Sequence, residues 1–144
     1  VMAEQELRVQ TGLKISRSTA TVYEAIVNPA EMSGYFISSG SGRLDGGETV
    51  VWNWDDVGAE LAVTPQEIEE NHRVGFNWRA SGVETRVVIE INGETDKTTA
   101  IQVTESGWPR DAEGTERCLQ QMQGWVHMLC CLKAYLEHGI NLRE

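Results

Sequence analysis

The segment from Gly114 to His138 constrains this chain more than any other, because it reads as one uninterrupted amphipathic helix. Leu119, Met122, Val126, Leu129, Leu132 and Leu136 recur at steps of three and four, with Trp125 beside them. That is the period of a single buried helical stripe. At about 1.5 Å per residue such a helix is roughly 35 Å long, enough to cross a whole sheet. Between Gly40 and Ser106 the pattern switches to short alternating runs separated by turn residues, as antiparallel strands require. The two patterns together predict an α+β fold, a curved antiparallel sheet of about seven strands wrapped on a long C-terminal helix. A pocket fits between sheet and helix.

The remaining elements follow from local signals. Glu6–Ile15 alternates, with Leu7, Val9, Leu13 and Ile15 on one face, and reads as a half-buried strand. Ser18 offers an N-cap for a short helix over Thr19–Val27, which Asn28-Pro29 ends. A second short helix is expected over Ala30–Phe36, then a Ser/Gly loop over Ser38–Gly42. Strands are predicted at Thr49–Trp54, Glu60–Glu69 (bulged near Pro65), Arg73–Trp78, Val83–Ile91 and Thr98–Glu105. Turns fall at Gly46-Gly47, Asp55–Gly58, Asn71-His72 and Ser81-Gly82, and Asn92-Gly93 is expected to close a hairpin. Asp111 is a candidate N-cap for the long helix, and Gly139 stands where a terminating glycine belongs.

Charge narrows the partners. With 12 basic and 22 acidic residues the formal net charge is −10, and the basic residues are scattered. Such a chain is repelled by nucleic-acid phosphates and by anionic membranes, so neither is expected as a partner. No apolar run approaches the ~20 residues of a membrane span, and no secretory pattern is present, so a cytoplasmic location is expected. Residues 1–144 are expected to form one domain. Cys118, Cys130 and Cys131 all fall in the long helix, spaced against an internal disulfide, and read as reduced, mostly packed thiols.

The element order, strand, two short helices, six strands and a long helix, resembles the helix-grip fold of the START and pollen-allergen (SRPBCC) superfamily. Within it the chain is most similar to homologues of the activator of the heat-shock-protein-90 ATPase. That family's segment of alanine-leucine-threonine-aspartate-proline type is matched by Val22-Tyr23-Glu24-Ala25-Ile26-Val27-Asn28-Pro29. Its tryptophan-phenylalanine pair is matched by Tyr35-Phe36, and its strand ending in tryptophan by Arg73-Val74-Gly75-Phe76-Asn77-Trp78. Gly124-Trp125 with Leu129, Leu132 and Leu136 resembles its glycine-tryptophan helix. The chain departs from the pattern at Tyr35, where tryptophan is usual, and at Glu105-Ser106-Gly107, where many relatives place a histidine before the glycine. The eukaryotic activator also carries a separate N-terminal domain, which these 144 residues do not include. The resemblance implies the fold directly. Function transfers less well, since the superfamily includes lipid carriers, cyclases and hydrolases.

The candidate ligand-binding set is Tyr35, Phe36, Trp52, Trp54, Phe76, Trp78, Met122, Trp125 and Leu129. Aromatic rings supply a large contact area, and Tyr and Trp add a polar edge. The alternative is that the same rings fill the core. His127 and Cys131, at i and i+4, have metal-ligand spacing, but His138 lies about 10 Å further along the axis and no third ligand accompanies them. No metal or cofactor is expected. A Gly-x-Ser-x-Gly elbow is absent, and Gly40-Ser41-Gly42 lacks the third glycine of a dinucleotide loop. Alternation turns Glu84, Arg86 and Glu90 to the outer face, opposite Val83, Thr85, Val87 and Ile89, so no catalytic residue is assigned. Glu67, Glu69 and Glu70 form an acidic run that is either plain solvated surface or a contact for a basic partner.

Three readings remain open. The leading one is a domain that binds a small apolar molecule without chemistry of its own. The second is a module acting on a chaperone, and the third a cyclase- or hydrolase-type enzyme, which requires a polar residue aimed into the cavity. A homodimer is compatible with each.

Overall fold

The computed structural model describes residues 7–143. Its strands are β1 (Leu7–Ile15), β2 (Ser39–Gly40), β3 (Val50–Trp54), β4 (Ala59–Glu69), β5 (Arg73–Trp78), β6 (Thr85–Thr95) and β7 (Thr98–Trp108). The helices are α1 (Thr19–Val27), α2 (Pro29–Met32) and α3 (Ala112–His138), with a 3₁₀ turn at Leu44–Gly46. All seven strands join one antiparallel sheet in the order β1-β7-β6-β5-β4-β3-β2, and α3 packs on it against β1 and β7. This is the curved sheet on a long helix expected from the two hydrophobic periods, and the helix-grip architecture that the resemblance implies.

Caps set the helix ends where the sequence placed them. Ser18 Oγ accepts from the Thr21 amide at 3.3 Å, and Asp111 Oδ1 accepts from the Gly114 amide at 2.7 Å. Gly139 ends α3 at φ 66°, in the left-handed region that a glycine enters at little cost. The inward faces of the strands are continuous. Val50, Trp52 and Trp54 of β3 are buried, as are Val74, Phe76 and Trp78 of β5, Val87, Ile89 and Ile91 of β6, and Ile101 and Val103 of β7. Arg86 and Glu84 point outward, as alternation requires, and Arg86 pairs with Glu67 at 3.0 Å. Arg73 also reaches Glu67, at 3.4 Å, so part of the acidic run is neutralised by its neighbours.

Several expectations need correction. Leu119 and Val126 are 66% and 43% exposed, and the buried residues of α3 are Gly114, Trp125, Met128, Leu129, Cys131 and Leu132. The buried face is centred on Trp125 and Leu132, and at about 100° per residue Leu119 and Val126 lie more than a right angle away from it, toward solvent. The second helix stops at Met32 instead of Phe36, because the chain turns there to bury Tyr35; the Met32 carbonyl accepts from the amides of Tyr35, Phe36 and Ile37. Ser39–Gly40, read as loop, pairs with Asn53 and Trp52 as a short edge strand. Asn92-Gly93 is no turn: these residues pair with Ala100 and Thr99, and the hairpin closes between Thr95 and Thr98. Gly93 serves a different purpose, since a side chain there would crowd Thr19 of α1. Cys130 is exposed, while Cys118 is half-buried and Cys131 buried. Among the described residues no helix is long and apolar enough to cross a membrane.

Candidate functional site

A cavity of about 310 Å³ opens between the middle of α3, the β3–β4 hairpin and the end of β5. Each element contributes for a local reason. The turn after α2 brings in Tyr35 and Phe36, and the inward registers of β3 and β5 end on Trp54 and Trp78. From β4 come only Ala59 and Leu61, and from α3 Gly124 beside Trp125. A Cβ added at Gly124 would meet nothing within 4 Å, so this glycine leaves space where a bulkier residue would fill it. The rim carries the polar groups Gln121, His127 and Arg143, with Val57 72% exposed at the hairpin tip. Arg143 is held by Asp56 of the β3–β4 turn at 2.6 Å.

The wall is a network of rings in contact. Phe36 stands edge-on to Trp54 with centroids 5.4 Å apart, and Trp54, Trp78 and Trp125 follow at 6.4 and 5.5 Å. Trp125 closes the circuit back to Phe36 at 6.2 Å. Edge-to-face and tilted arrangements of this kind suit the ring quadrupoles.

One residue absent from the sequence-derived set organises the wall. Glu105 of β7 is fully buried, and its carboxylate accepts four hydrogen bonds. Oε1 takes Trp125 Nε1–H at 2.7 Å and Gln121 Nε2–H at 3.0 Å; Oε2 takes Trp78 Nε1–H at 3.0 Å and Thr85 Oγ–H at 2.5 Å. Four donors match the four lone-pair positions of a carboxylate, so each is in use. Both indoles are thereby fixed by their edges. Tyr35 is fixed in the same manner, its hydroxyl donating to the Ala25 carbonyl at 2.8 Å, and burial pushes its pKa upward.

Of the sequence-derived candidates, Tyr35, Phe36, Trp54, Trp78 and Trp125 line the cavity. Trp52, Phe76 and Leu129 do not; they lie behind that wall at 2%, 0% and 1% exposure. Met122 packs against the core beside it, because its direction on α3 points away from the opening. The structure adds Gln121, Gly124, Met128 and Arg143, and brings in His127 and Cys131 as cavity residues. His127 Nε2 and Cys131 Sγ lie 3.5 Å apart, and burial pushes the Cys131 thiol up, which favours the neutral thiol over a nucleophilic thiolate. Among the described residues no group of three His, Cys, Asp or Glu side chains is placed to hold a metal.

Residues 16–137 match the family model described as activator of Hsp90 ATPase homolog 1-like protein. The chain belongs to this family. Among solved structures it is similar to the protein SSP2350 from Staphylococcus saprophyticus, with 32% identity and a TM-score of 0.82 over 94% of this chain and 96% of the other. The Aha1 dimer from Colwellia psychrerythraea has the same fold at 19% identity and a TM-score of 0.75, covering 92% of this chain and 97% of that one. DynU16, a protein of the dynemicin biosynthetic locus, also shares it, with 22% identity, a TM-score of 0.81 and 94% of this chain covered. The chain spans 49% of DynU16. No curated protein matches the chain. In this family member the Tyr35-Phe36 pair and the Gly124-Trp125 pair, which carried the resemblance, meet at one cavity.

Proposed function

We propose that this family member is a cytoplasmic binding domain for a small, mostly apolar molecule, held between α3 and the β3–β4 hairpin. The observation that carries the reading is the cavity of about 310 Å³ walled by Tyr35, Phe36, Trp54, Trp78 and Trp125. Its size lies at the lower end of small-molecule sites, about 300–1,000 Å³, and its composition is theirs: apolar walls with a few polar groups at defined places. Gln121, His127 and Arg143 stand at the rim and suit the polar end of such a molecule. Glu105 supports the reading indirectly. Its four bonds immobilise Trp78 and Trp125 before any ligand arrives, which lowers the ordering cost of binding.

Native mass spectrometry of the purified protein, compared with its denatured mass, tests the proposal. A reproducible additional mass lost on denaturation is expected. Titration with naphthalene-sized aromatic probes, followed by tryptophan quenching, gives a second arm. No quenching at the solubility limit of such probes, together with a bare native mass, refutes the binding reading.

The family description favours one further reading, action on a chaperone ATPase. Its test is the Hsp90 ATPase rate with and without this chain, with stimulation as the supporting result. A homodimer has the dimeric Colwellia relative in its favour, and sedimentation velocity at micromolar concentration decides it.

A further inference from the structure

Trp52 carries a fully buried indole nitrogen without a partner among the described residues, unlike Trp78, Trp108 and Trp125. The indole N–H groups of Trp78 and Trp125 donate to Glu105, and that of Trp108 donates to Ser81 Oγ at 3.0 Å. Trp52 is 2% exposed, yet its Nε1–H has no acceptor among the described residues. An indole nitrogen is a donor only, so burying it unpaired is a standing cost.

The place of the residue that carries this donor is informative. Trp52 lines a small internal void of about 10 Å³ directly behind the cavity wall. Tyr35, Phe36, Trp125 and Met128 line both spaces and form the partition between them. A void of that size is at or below the limit for one water molecule, and the other side chains around it supply little to hold one. Phe36 and Met128 are the two members of the partition that no side-chain hydrogen bond holds. Phe36 is half-buried on the turn after α2, edge-on to Trp52 at 5.8 Å, and Met128 is an unbranched chain that repacks readily.

We infer that the binding site extends inward past Phe36 and Met128 to Trp52, and that its ligand carries an uncharged hydrogen-bond acceptor, such as a ketone or ester carbonyl, at its buried end. Trp52 Nε1–H is the donor that reads this group. The acceptor is uncharged because no charged residue lines the inner void, so an ionic end would be stranded there. The inference rests on the cavity being a ligand site and deepens that reading by naming one chemical feature of the ligand.

A matched probe pair tests it: 2-acetylnaphthalene, and 2-isopropenylnaphthalene, in which a CH₂ group replaces the carbonyl oxygen at nearly equal shape. The ketone is expected to bind about 5–10-fold more tightly, the worth of one hydrogen bond made by an otherwise unpaired donor. In ¹H–¹⁵N spectra the Trp52 indole resonance is expected to move downfield with the ketone and not with the alkene. In Trp52→Phe the preference is expected to fall to about one. The indole measurement uses the native protein and is independent of how well that variant folds. Equal affinities with an unmoved Trp52 indole would overturn the inference while leaving the cavity reading intact. In that case the N–H is satisfied by a ring face, and Phe76 and Trp78 stand at 71° and 83° to Trp52. If neither probe binds and the native mass is bare, both readings fail.

Discussion

Replacing Glu105 by glutamine removes half of the acceptors behind the aromatic wall while preserving shape. The carboxylate serves Trp125 and Gln121 with one oxygen and Trp78 and Thr85 with the other. A glutamine amide has one oxygen. If its nitrogen takes the place beside Thr85, the Thr85 hydroxyl can rotate to accept, but the Trp78 N–H then faces another N–H. If it takes the other place, Gln121 can turn its own amide to accept, and Trp125 is stranded instead. Each orientation leaves one indole donor unpaired in a residue that is 5% or 3% exposed. The cost of such a group is about 1–3 kcal/mol. Charge assistance is also lost from the remaining bonds, but the desolvation of a buried charge is relieved, and these two effects oppose each other.

Glu105→Gln is therefore expected to destabilise by about 1–3 kcal/mol, and Glu105→Leu, which strands both indoles, by about twice that. Urea unfolding followed by tryptophan fluorescence reads the difference. With a slope of about 2 kcal/mol per molar, the glutamine variant's midpoint is expected to fall by about 1 M. The order matters as much as the size. Midpoints within about 0.2 M of the parent for both variants, or a leucine variant more stable than the glutamine one, would show that the four bonds do not outweigh the burial of the charge.

Leu129→Ala is expected to cost about 2–5 kcal/mol, since Leu129 is 1% exposed, whereas Leu119→Ala at 66% exposure should stay within about 0.5 kcal/mol; denaturation of the pair tests the phase of α3. Gly124→Ala should stabilise by about 0.5–1 kcal/mol in the same assay, because the added Cβ meets nothing within 4 Å, while Gly124→Phe should fill the cavity and abolish quenching by the naphthalene probes. Hydrogen bonds from Arg43 hold the Glu24 and Asp45 carboxyls below their usual range, and one from Lys133 does so for Glu137. The native state thus binds fewer protons than the unfolded chain near these values, so their contribution is complete above the unfolded pKa of about 4 and is lost as pH falls through the lowered native ones. Thermal midpoints should be level between about pH 7 and 5 and drop below about 4, with a shallower drop in Arg43→Ala; an unchanged acid limb in that variant would contradict the assignment.

Most of the fold was legible because its information is local. Ser18, Asp111 and Gly139 mark helix ends by their own chemistry, and α1 and β5 run between the residues the sequence indicated. What failed was decided by contacts distant in sequence. Asn92-Gly93 has the composition of a hairpin turn, but the sheet continues past it because the register set by Ile89 and Ile91 against Val103 and Ile101 carries two more pairs. The stripe on α3 was mis-phased because a leucine at the edge of a hydrophobic face satisfies the spacing rule whether or not a neighbour covers it. Here the sheet covers the side that holds Trp125 and Leu132.

Glu105 shows why the site was harder to read than the fold. Its signal was present: Thr99, Ile101, Val103 and Glu105 share one face of β7, and the first three point into the core. Charged residues on strands ordinarily point to solvent, and for Glu84, Arg86 and Glu90 that assumption placed the side chains correctly. For Glu105 it conflicts with the period of its own strand, and the period prevails because four uncharged donors wait on the inner side. Those donors sit on β5, β6 and α3, between 16 and 27 residues away in the chain, so no local window contains both the charge and what stabilises it. The carboxylate and the tryptophans explain each other only together. Without Trp78 and Trp125 the charge could not be buried, and without the charge the two indoles would share the unpaired state of Trp52. Trp52, the fully buried indole left without an acceptor among the described residues, is therefore the place behind this wall where an acceptor from outside the chain would have most to offer.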